Sequence, residues 1–169
     1  MFSVDLEKGF DPYEVAPVVV DLNQFSDMTM EEYRALLTFK PDTSKPQEKV
    51  VNIPEEKNLE AEINWVEKGM VTPIKDQGAC GSCWSFSTTG SIESAYMIKN
   101  GGKSIELSEQ QLVDCSISYG NNGCSGGLVE YAYHYLENVA LDTEAQYPYK
   151  HTNQKCQAVK GSIKITDFV

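Results

Sequence analysis

The sequence lacks the features that mark proteins of membranes and of nucleic acids. Its longest apolar candidate, residues 15–20, contains a proline and falls far short of the roughly 20 apolar residues that a membrane span needs. Positive charge is scarce, since 14 Lys and Arg stand against 25 Asp and Glu. The net charge of -11 repels phosphate backbones and anionic lipid surfaces. We therefore expect neither a nucleic acid nor a membrane as a partner.

A secretory signal peptide is also missing from the sequence. Residues 1–8, MFSVDLEK, place carboxylates where such a signal needs a basic start followed by an apolar run. Five cysteines, an odd number, suit two bridges and one free thiol, which indicates an oxidising compartment. These two observations conflict unless the chain begins downstream of its natural start, and that is what we expect.

The sequence divides into two parts of different composition. Residues 1–58 contain no cysteine and include a polar, proline-marked linker at residues 40–49. Residues 59–169 contain all five cysteines. We place a domain boundary near residues 54–62.

Apolar spacing together with start and stop signals predicts helices in both parts. In the first part, a capping box formed by Thr29 and Glu32 predicts a short helix over residues 30–38. In the second part, a helix over residues 83–99 is expected to stop at residues 100–102, Asn-Gly-Gly.

Two further helices and a strand are predicted downstream. Ser108 and Gln111 form a capping box at the start of a helix over residues 107–113. Residues 128–138 carry apolar side chains at helical spacing behind a pair of glycines. Residues 161–169 alternate between apolar and polar side chains, which predicts a strand with no partner left in the chain.

Cys83 stands at the start of a predicted helix, where a thiol can act as a nucleophile. A helix N-terminus stabilises the thiolate, the form that attacks an amide carbonyl, through its dipole and its unpaired backbone amides. Gln77 lies upstream across a glycine-containing turn. Its side-chain amide and the Cys83 N–H can together stabilise a tetrahedral oxyanion.

The pair Cys80 and Cys83 has the spacing of a redox dithiol or of half a zinc site. The sequence contains no second CxxC or HxxxH, and Cys115 and Cys124 are too far apart for the usual ligand pair. A thioredoxin-like βαβ setting and a phosphate-binding glycine loop are also missing. We therefore expect neither a metal nor a cofactor.

Residues 80–84, CGSCW, resemble the nucleophile signature of the papain family of cysteine peptidases. Residues 23–29, NQFSDMT, are similar to the inhibitory prosegment of cathepsin L-like members. Other stretches that match the family are INW at 63–65, GMVTPIKDQ at 69–77, LSEQQLVDC at 107–115, CSGG at 124–127 and YPY at 147–149.

The resemblance implies an α+β papain-like cysteine proteinase fold. The chain would hold mainly the helical left domain, with the right β-domain largely absent. Residues 1–58 would be a truncated inhibitory prosegment and linker, and residues 59–169 the N-terminal, helical part of the peptidase domain. By the same resemblance Cys80 pairs with Cys124 and Cys115 with Cys156, so that Cys83 stays free.

The resemblance also implies roles for individual residues. Cys83 would be the nucleophile and Gln77 the oxyanion donor of an endopeptidase acting on peptides or proteins. The residues that would contact substrate are Gly126, Gly127, Leu128 and Val129, the last two lining the pocket for the substrate's second residue. The protein's own prosegment would inhibit it, and its location would be lysosomal or extracellular.

The family's catalytic histidine and its orienting asparagine lie roughly 130 to 150 positions after the cysteine, and the sequence ends before that. The two histidines present, His134 and His151, match no family motif. We expect a packed or surface side chain at His134 and a solvated loop at His151. The chain is thus predicted to be inactive alone and to need a missing C-terminal half. The alternative is a non-catalytic relative that acts as a binding or inhibitory module.

Overall fold

Helices make up the regular structure of the described residues. The structure is a computed structural model, and it describes residues 22–37, 62–157, 161–166 and 168. The helices are α1 Met30–Leu36, α2 Cys83–Lys99, α3 Glu109–Cys115 and α4 Val129–Asn138, with a 3₁₀ turn at Ile117–Tyr119. Within these residues, strand pairing is limited to isolated bridges between Gly81 and Ser125, Leu107 and Thr143, and Leu141 and Ile163.

The chain divides into two compact units, Met1–Arg34 and Ala35–Val169. The boundary predicted near residues 54–62 and the linker at residues 40–49 lie almost wholly outside the described residues. The division into residues 1–58 and 59–169 therefore stays a prediction.

Helix α1 begins with the predicted capping box. The Glu32 N–H donates to Thr29 Oγ1 at 3.2 Å, and the Thr29 N–H donates to Glu32 Oε2 at 2.7 Å. Hydrogen bonds from the Thr29 backbone and hydroxyl lower the pKa of Glu32. The helix ends at Leu36, slightly before the predicted residue 38, which lies outside the described residues.

Helix α2 begins and ends where the sequence predicts. It spans Cys83–Lys99 and stops at Gly101 and Gly102, whose φ values of 63° and 85° belong to the left-handed region that favours glycine. The Gly102 N–H donates to the Met97 carbonyl at 2.8 Å, the long bond of a Schellman motif. The helix packs against α3 and α4.

Helix α3 differs from its prediction at one hydrogen bond and at both ends. Ser108 caps it as expected, because Ser108 Oγ accepts from the Gln111 N–H at 3.0 Å. The Gln111 side chain does not return the bond. It is fully buried, donates to the Tyr135 hydroxyl and the Ala140 carbonyl, and accepts from the Asp142 N–H. Tertiary packing therefore takes the amide that a capping box would use, and the helix runs to Cys115 rather than to residue 113.

The core lies where α2, α3 and α4 meet. Helix α4 contributes the apolar side chains that the sequence pattern predicts, and its bounds match the predicted residues 128–138 within one position. The buried cluster consists of Trp84, Ile92, Leu107, Leu112, Val113, Ala132, Tyr135, Leu136 and Leu141.

The expectation that residues 161–169 form a strand without a partner was wrong. Ile163 pairs with Leu141, and the backbone groups of these two residues exchange hydrogen bonds of 2.6 and 3.0 Å. Within the described residues of this segment the pairing is a single bridge and not a continuous strand, and apolar alternation could not show that its partner lies on the loop after α4. Residues 167 and 169 are outside the described part.

Two disulfides join distant parts of the second unit. They pair Cys80 with Cys124 and Cys115 with Cys156, the pairs that the family resemblance implies. Beside the second, the Tyr147 hydroxyl donates to Asp114 Oδ2 at 2.9 Å. Burial and the Asp114 carboxylate raise the pKa of Tyr147 to about 12.

Candidate active site

Cys83 is the first residue of α2, and its thiol is free and exposed. The Ser82 carbonyl before it accepts from the N–H groups of Ser85 and Phe86, which starts the helical hydrogen bonding. No acidic side chain lies in the first turn of α2. The positive end of the helix dipole therefore acts on the Cys83 sulfur without an opposing carboxylate from that turn.

The turn that precedes Cys83 is attached to a second loop. The disulfide from Cys80 reaches Cys124, and the Gly81 N–H donates to the Cys124 carbonyl at 2.9 Å, beside the bridge between Gly81 and Ser125. Cys80 is 2% exposed. A covalent bond and a backbone hydrogen bond thus fix the entry into α2 at almost the same point.

Gln77 lies partly buried in the same turn. Its Nε2 donates to the Cys80 carbonyl at 2.9 Å, and its own carbonyl accepts from the Tyr149 hydroxyl at 2.9 Å. A side-chain amide carries two hydrogens on nitrogen, so the bond to Cys80 sets the plane of the amide and uses one of them. The second hydrogen is the one that a developing oxyanion would need.

Gly126 and Gly127 follow the loop that the first disulfide holds. Gly126 has a φ of 108°, which a residue with a side chain rarely adopts. A Cβ on Gly127 would lie 2.4 Å from Asn121 Oδ1 and 2.7 Å from the Trp84 ring. Asn121 and Trp84 therefore leave no room for a Cβ at Gly127 unless one of them moves. The Trp84 Nε1 donates to the Gly123 carbonyl at 3.2 Å.

The other residues predicted to contact substrate lie at the start of α4. Leu128 precedes the helix in an extended conformation, and Val129 is its first residue; both are half-buried. The Leu128 N–H donates to Asn121 Oδ1 at 2.9 Å. Their contact with a substrate stays a prediction.

An open cleft of about 430 Å³ lies along one side of α2. Its lining includes Gln77, and Phe86 is half-buried in its wall. The residues that line it are Val71, Thr72, Pro73, Lys75, Gln77, Phe86, Gly90, Ser91, Glu93 and Ser94. Cys83 is outside this lining, so the cleft adjoins the candidate oxyanion donor and not the thiol.

An ionic cluster with two buried carboxylates adjoins that cleft, whose lining includes Lys75 and Glu93. Lys75 Nζ lies 2.7 Å from Glu93 Oε1 and 2.7 Å from Glu109 Oε1, and both carboxylates are almost inaccessible to water. Burial disfavours the charged lysine, but the hydrogen bonds to Glu109 and Glu93 outweigh it and raise the pKa of Lys75. Thr72 and Thr89 each donate a hydroxyl hydrogen bond to one of the carboxylates.

Glu144 lies near the same cluster with one carboxyl oxygen unpaired. Its Oε1 accepts from the Tyr149 N–H at 2.7 Å, while its buried Oε2 has no hydrogen-bond partner. Burial raises the pKa of Glu144, and the nearby charge of Glu109 adds to this effect.

The two histidines interact with groups other than the Cys83 thiol. His134 is on the surface of α4, as we expected, with Nδ1 3.0 Å from Glu137 Oε2. His151 is exposed, but it is not simply solvated. Its ring packs edge-on to Tyr149 at 4.6 Å, its Nδ1 lies 3.4 Å from the Gln77 carbonyl oxygen, and its φ is 56°.

Residues 59–168 match the family model described as "Papain family cysteine protease". The chain belongs to the papain family. The match extends over most of the sequence and includes Cys83, Gln77 and all four disulfide cysteines. The family is one of cysteine peptidases, as the signature at residues 80–84 predicted.

Curated members of the papain family resemble the chain along most of its length. A "Cathepsin L-like proteinase" of Fasciola hepatica is 50% identical over 153 residues, which cover 87% of this chain and 46% of that protein. "Digestive cysteine proteinase 3" of Homarus americanus is 43% identical over 160 residues, covering 94% of this chain and 49% of that protein. The prediction of a cathepsin L-like member is thereby confirmed. The chain spans about half the length of these relatives.

Solved structures of the family share the fold. A digestive procathepsin L2 proteinase from the larval midgut of Tenebrio molitor has a TM-score of 0.73 and 36% identity, covering 85% of this chain and 49% of that one. Procathepsin L3 from the same source has a TM-score of 0.71. Together with the helical structure of the described residues, these matches confirm the papain-like fold and its helical left domain, in forms that carry a prosegment.

Two general features concern metals and membranes. In the parts of the chain that the structure describes, no group of three or more His, Cys, Asp or Glu side chains is placed to hold a metal ion. None of the described helices is long and apolar enough to cross a bilayer.

Sequence reasoning did not single out Tyr149, Lys75 or Glu144. Tyr149 belongs to the YPY stretch at residues 147–149 that matches the family, and this match is the one indication of Tyr149 in the sequence. Lys75 precedes Gln77 by two positions, but its partners are 18 and 34 residues away. Nothing local in the sequence indicates those contacts.

Proposed function

We propose that this chain carries the nucleophile of a cathepsin L-like cysteine endopeptidase that hydrolyses peptide bonds in peptides or proteins. One observation carries the proposal. The free, exposed thiol of Cys83 stands at the start of a 17-residue helix, and Gln77 lies in the turn that the Cys80–Cys124 disulfide holds. Nucleophile and oxyanion donor thus belong to one rigid segment.

This arrangement supplies the nucleophile and the oxyanion donors of the proposed reaction. The Cys83 thiolate attacks the scissile carbonyl carbon, and the carbonyl oxygen becomes an oxyanion stabilised by Gln77 Nε2 and the Cys83 N–H. A histidine protonates the leaving amine as the C–N bond breaks, which leaves a thioester on Cys83. Water then hydrolyses the thioester and restores the thiol.

Substrate binding is proposed for the loop before α4. Gly126 and Gly127 would hydrogen-bond the substrate backbone, and Leu128 and Val129 would contact its second residue. The close packing of Gly127 on Trp84, a neighbour of Cys83, supports this because it places the glycine loop beside the start of α2.

The histidine of this mechanism is proposed to come from a further part of the protein. His134 and His151 are engaged elsewhere, with Glu137 and with Tyr149. Apolar side chains between residues 63 and 74 are exposed, Ile74 fully and Val66 by 69%, and a C-terminal half would cover them. The 169 residues alone would then bind a peptide substrate but would not hydrolyse it.

Residues 1–58 are proposed to be an inhibitory prosegment with its linker, and residues 59–169 the N-terminal part of the peptidase domain. The similarity of residues 23–29 to family prosegments and the likeness to procathepsins support this assignment. Two disulfides and relatives named digestive proteinases support a lysosomal or extracellular location.

The test uses a thiol-reactive peptide epoxide and a fluorogenic peptide amide. The chain is incubated with each, alone and together with a separately produced C-terminal half from a cathepsin L-like relative. We expect the epoxide to label Cys83, and turnover to appear only when both halves are present. Cys83→Ala should abolish labelling and turnover, and Gln77→Ala should lower turnover by about 10²-fold or more while the thiol remains alkylable.

The matched control is Ser87→Ala, an exposed position on α2 outside the proposed machinery, which should behave like the wild type. If the epoxide fails to label Cys83 in every condition, the peptidase proposal is wrong. A chain that binds a family peptidase or a peptide without labelling or turnover would instead be a non-catalytic binding or inhibitory module.

A further inference from the structure

One hydroxyl group joins the two residues that flank the proposed catalytic turn. The Tyr149 hydroxyl donates to the Gln77 carbonyl oxygen at 2.9 Å and lies 2.6 Å from Ser82 Oγ. Its single proton is used on Gln77, because a carbonyl can only accept. The Ser82 hydroxyl is therefore the donor to Tyr149, and this contact is shorter than the 3.4 Å from Ser82 Oγ to the Cys80 carbonyl.

These two contacts reach both sides of the turn. Gln77 carries the side-chain amide assigned to the oxyanion, and Ser82, fully buried, immediately precedes the nucleophile Cys83. Tyr149 is 72 residues from Gln77 and 67 from Ser82 along the chain. It thus acts on the spacing between oxyanion donor and nucleophile from outside the segment that carries them.

Tyr149 is itself held on three sides. Its ring packs edge-on to Phe86 at 4.9 Å and to His151 at 4.6 Å, and its N–H donates to Glu144 Oε1 at 2.7 Å. Phe86 belongs to the first turn of α2. A hydroxyl supported in this way can fix the positions of the groups that it contacts.

The direction of the Gln77 amide depends on that position. Its Nε2 donates one hydrogen to the Cys80 carbonyl at 2.9 Å. If the Gln77 backbone moves relative to Cys80, the second hydrogen of the amide no longer points at the position of the oxyanion. Donors act on an oxyanion only within about 2.7–3.1 Å of it. A small shift of residue 77 would therefore weaken oxyanion binding without changing the thiol.

We propose that Tyr149 is a positioning residue that holds Gln77 and Ser82 at the spacing required for oxyanion stabilisation at Cys83. This rests on the proposed function. Tyr149 does not touch the reacting atoms, and its effect should appear in steps that form an oxyanion and not in simple alkylation.

A peptide aldehyde and iodoacetamide separate the two effects. The Cys83 sulfur adds to the aldehyde carbon, and the π electron pair moves to oxygen, which then takes a proton; this adduct uses the oxyanion donors. Iodoacetamide forms an S–C bond as iodide leaves from a saturated carbon, and no oxyanion arises. Aldehyde affinity is measured as protection of Cys83 from iodoacetamide in the full 169-residue chain.

Tyr149→Phe removes the hydroxyl and keeps the ring that packs on Phe86 and His151. We expect its aldehyde affinity to fall about tenfold, because Gln77 is still present but its amide is misaligned. The iodoacetamide rate should stay within twofold of the wild type. Ser82→Ala removes the other contact and should give a smaller loss of the same kind. Tyr133→Phe removes a tyrosine–serine contact to Ser91, 2.5 Å long and further along α2, and should change neither value.

The outcomes distinguish the two proposals. Wild-type affinity in Tyr149→Phe, with a weakened Gln77→Ala, overturns the positioning role and leaves the proposed function standing. Equal losses of alkylation rate and aldehyde affinity in Tyr149→Phe mean general disruption of the fold, and also overturn it. If the aldehyde protects neither the wild type nor Gln77→Ala, the proposed function itself fails.

Discussion

Lys75 Nζ lies 2.7 Å from Glu109 Oε1, although 34 residues separate them and the Glu109 side chain is only 1% exposed. The same ammonium lies 2.7 Å from Glu93 Oε1, so one cation serves two buried carboxylates. Removing one partner of a buried ion pair leaves an uncompensated charge in a medium of low dielectric constant. The segment that leads to Gln77 is thereby attached to α2 and α3.

Lys75→Met should lower the free energy of unfolding by about 3 kcal/mol, because two buried carboxylates lose their counterion. Urea denaturation followed by circular dichroism would measure it. Lys103→Met, at an exposed position, is the control and should change stability by less than about 0.5 kcal/mol. Adding Glu109→Gln to Lys75→Met should recover part of the loss; a further loss in the double variant would contradict the explanation.

Glu144→Gln should stabilise the chain at neutral pH and not at acid pH. The pKa of Glu144 is raised in the folded state, so the wild type loses stability as the pH rises from the unfolded value near 4.5 through the folded value. A neutral amide avoids that loss and can still accept from the Tyr149 N–H. We expect a gain of about 1 kcal/mol at pH 7 that disappears below pH 4. Equal effects at both pH values would show that ionisation is not involved.

The two disulfides should have similar effects on stability and different effects on Cys83. Their sequence separations are 44 and 41 residues, so loop-closure entropy predicts a loss of about 4 kcal/mol for either pair of Cys→Ser substitutions. Substituting Cys80 and Cys124 releases the turn before α2 and should also change the iodoacetamide rate at Cys83. Substituting Cys115 and Cys156 should leave that rate unchanged in conditions where both variants are folded.

Gly127→Ala should destabilise the chain by about 2 kcal/mol, because the added Cβ displaces the Trp84 ring or Asn121. Gly90→Ala, inside α2 with nothing within 4 Å of its Cβ position, is the matched glycine substitution. It should stabilise by up to about 1 kcal/mol through helix propensity. Thermal melts of both variants would measure these changes in stability. Unchanged stability in Gly127→Ala would show that Trp84 moves aside at no cost.

Much of the helical structure could be predicted because its causes are local. The cap of α1 by Thr29 and the stop of α2 at Gly101 and Gly102 involve residues a few positions apart, so spacing alone indicates them. Ser108 caps α3 for the same reason. The reciprocal bond from Gln111 failed because a buried amide finds partners on α4 and near Asp142 that no local pattern reveals.

At the candidate site, the reactive groups could be predicted from the sequence, whereas the contacts that hold them in place depend on tertiary packing. A thiol at the first residue of a helix, an amide in the preceding turn and a family signature follow from residues 77–86 alone. Tyr149 on Gln77 and Ser82, and Lys75 between Glu93 and Glu109, exist only because packing brings together groups that are 18 to 72 residues apart. Hydrogen bonds and ion pairs act over about 3 Å of space, and distance along the chain does not set that spacing.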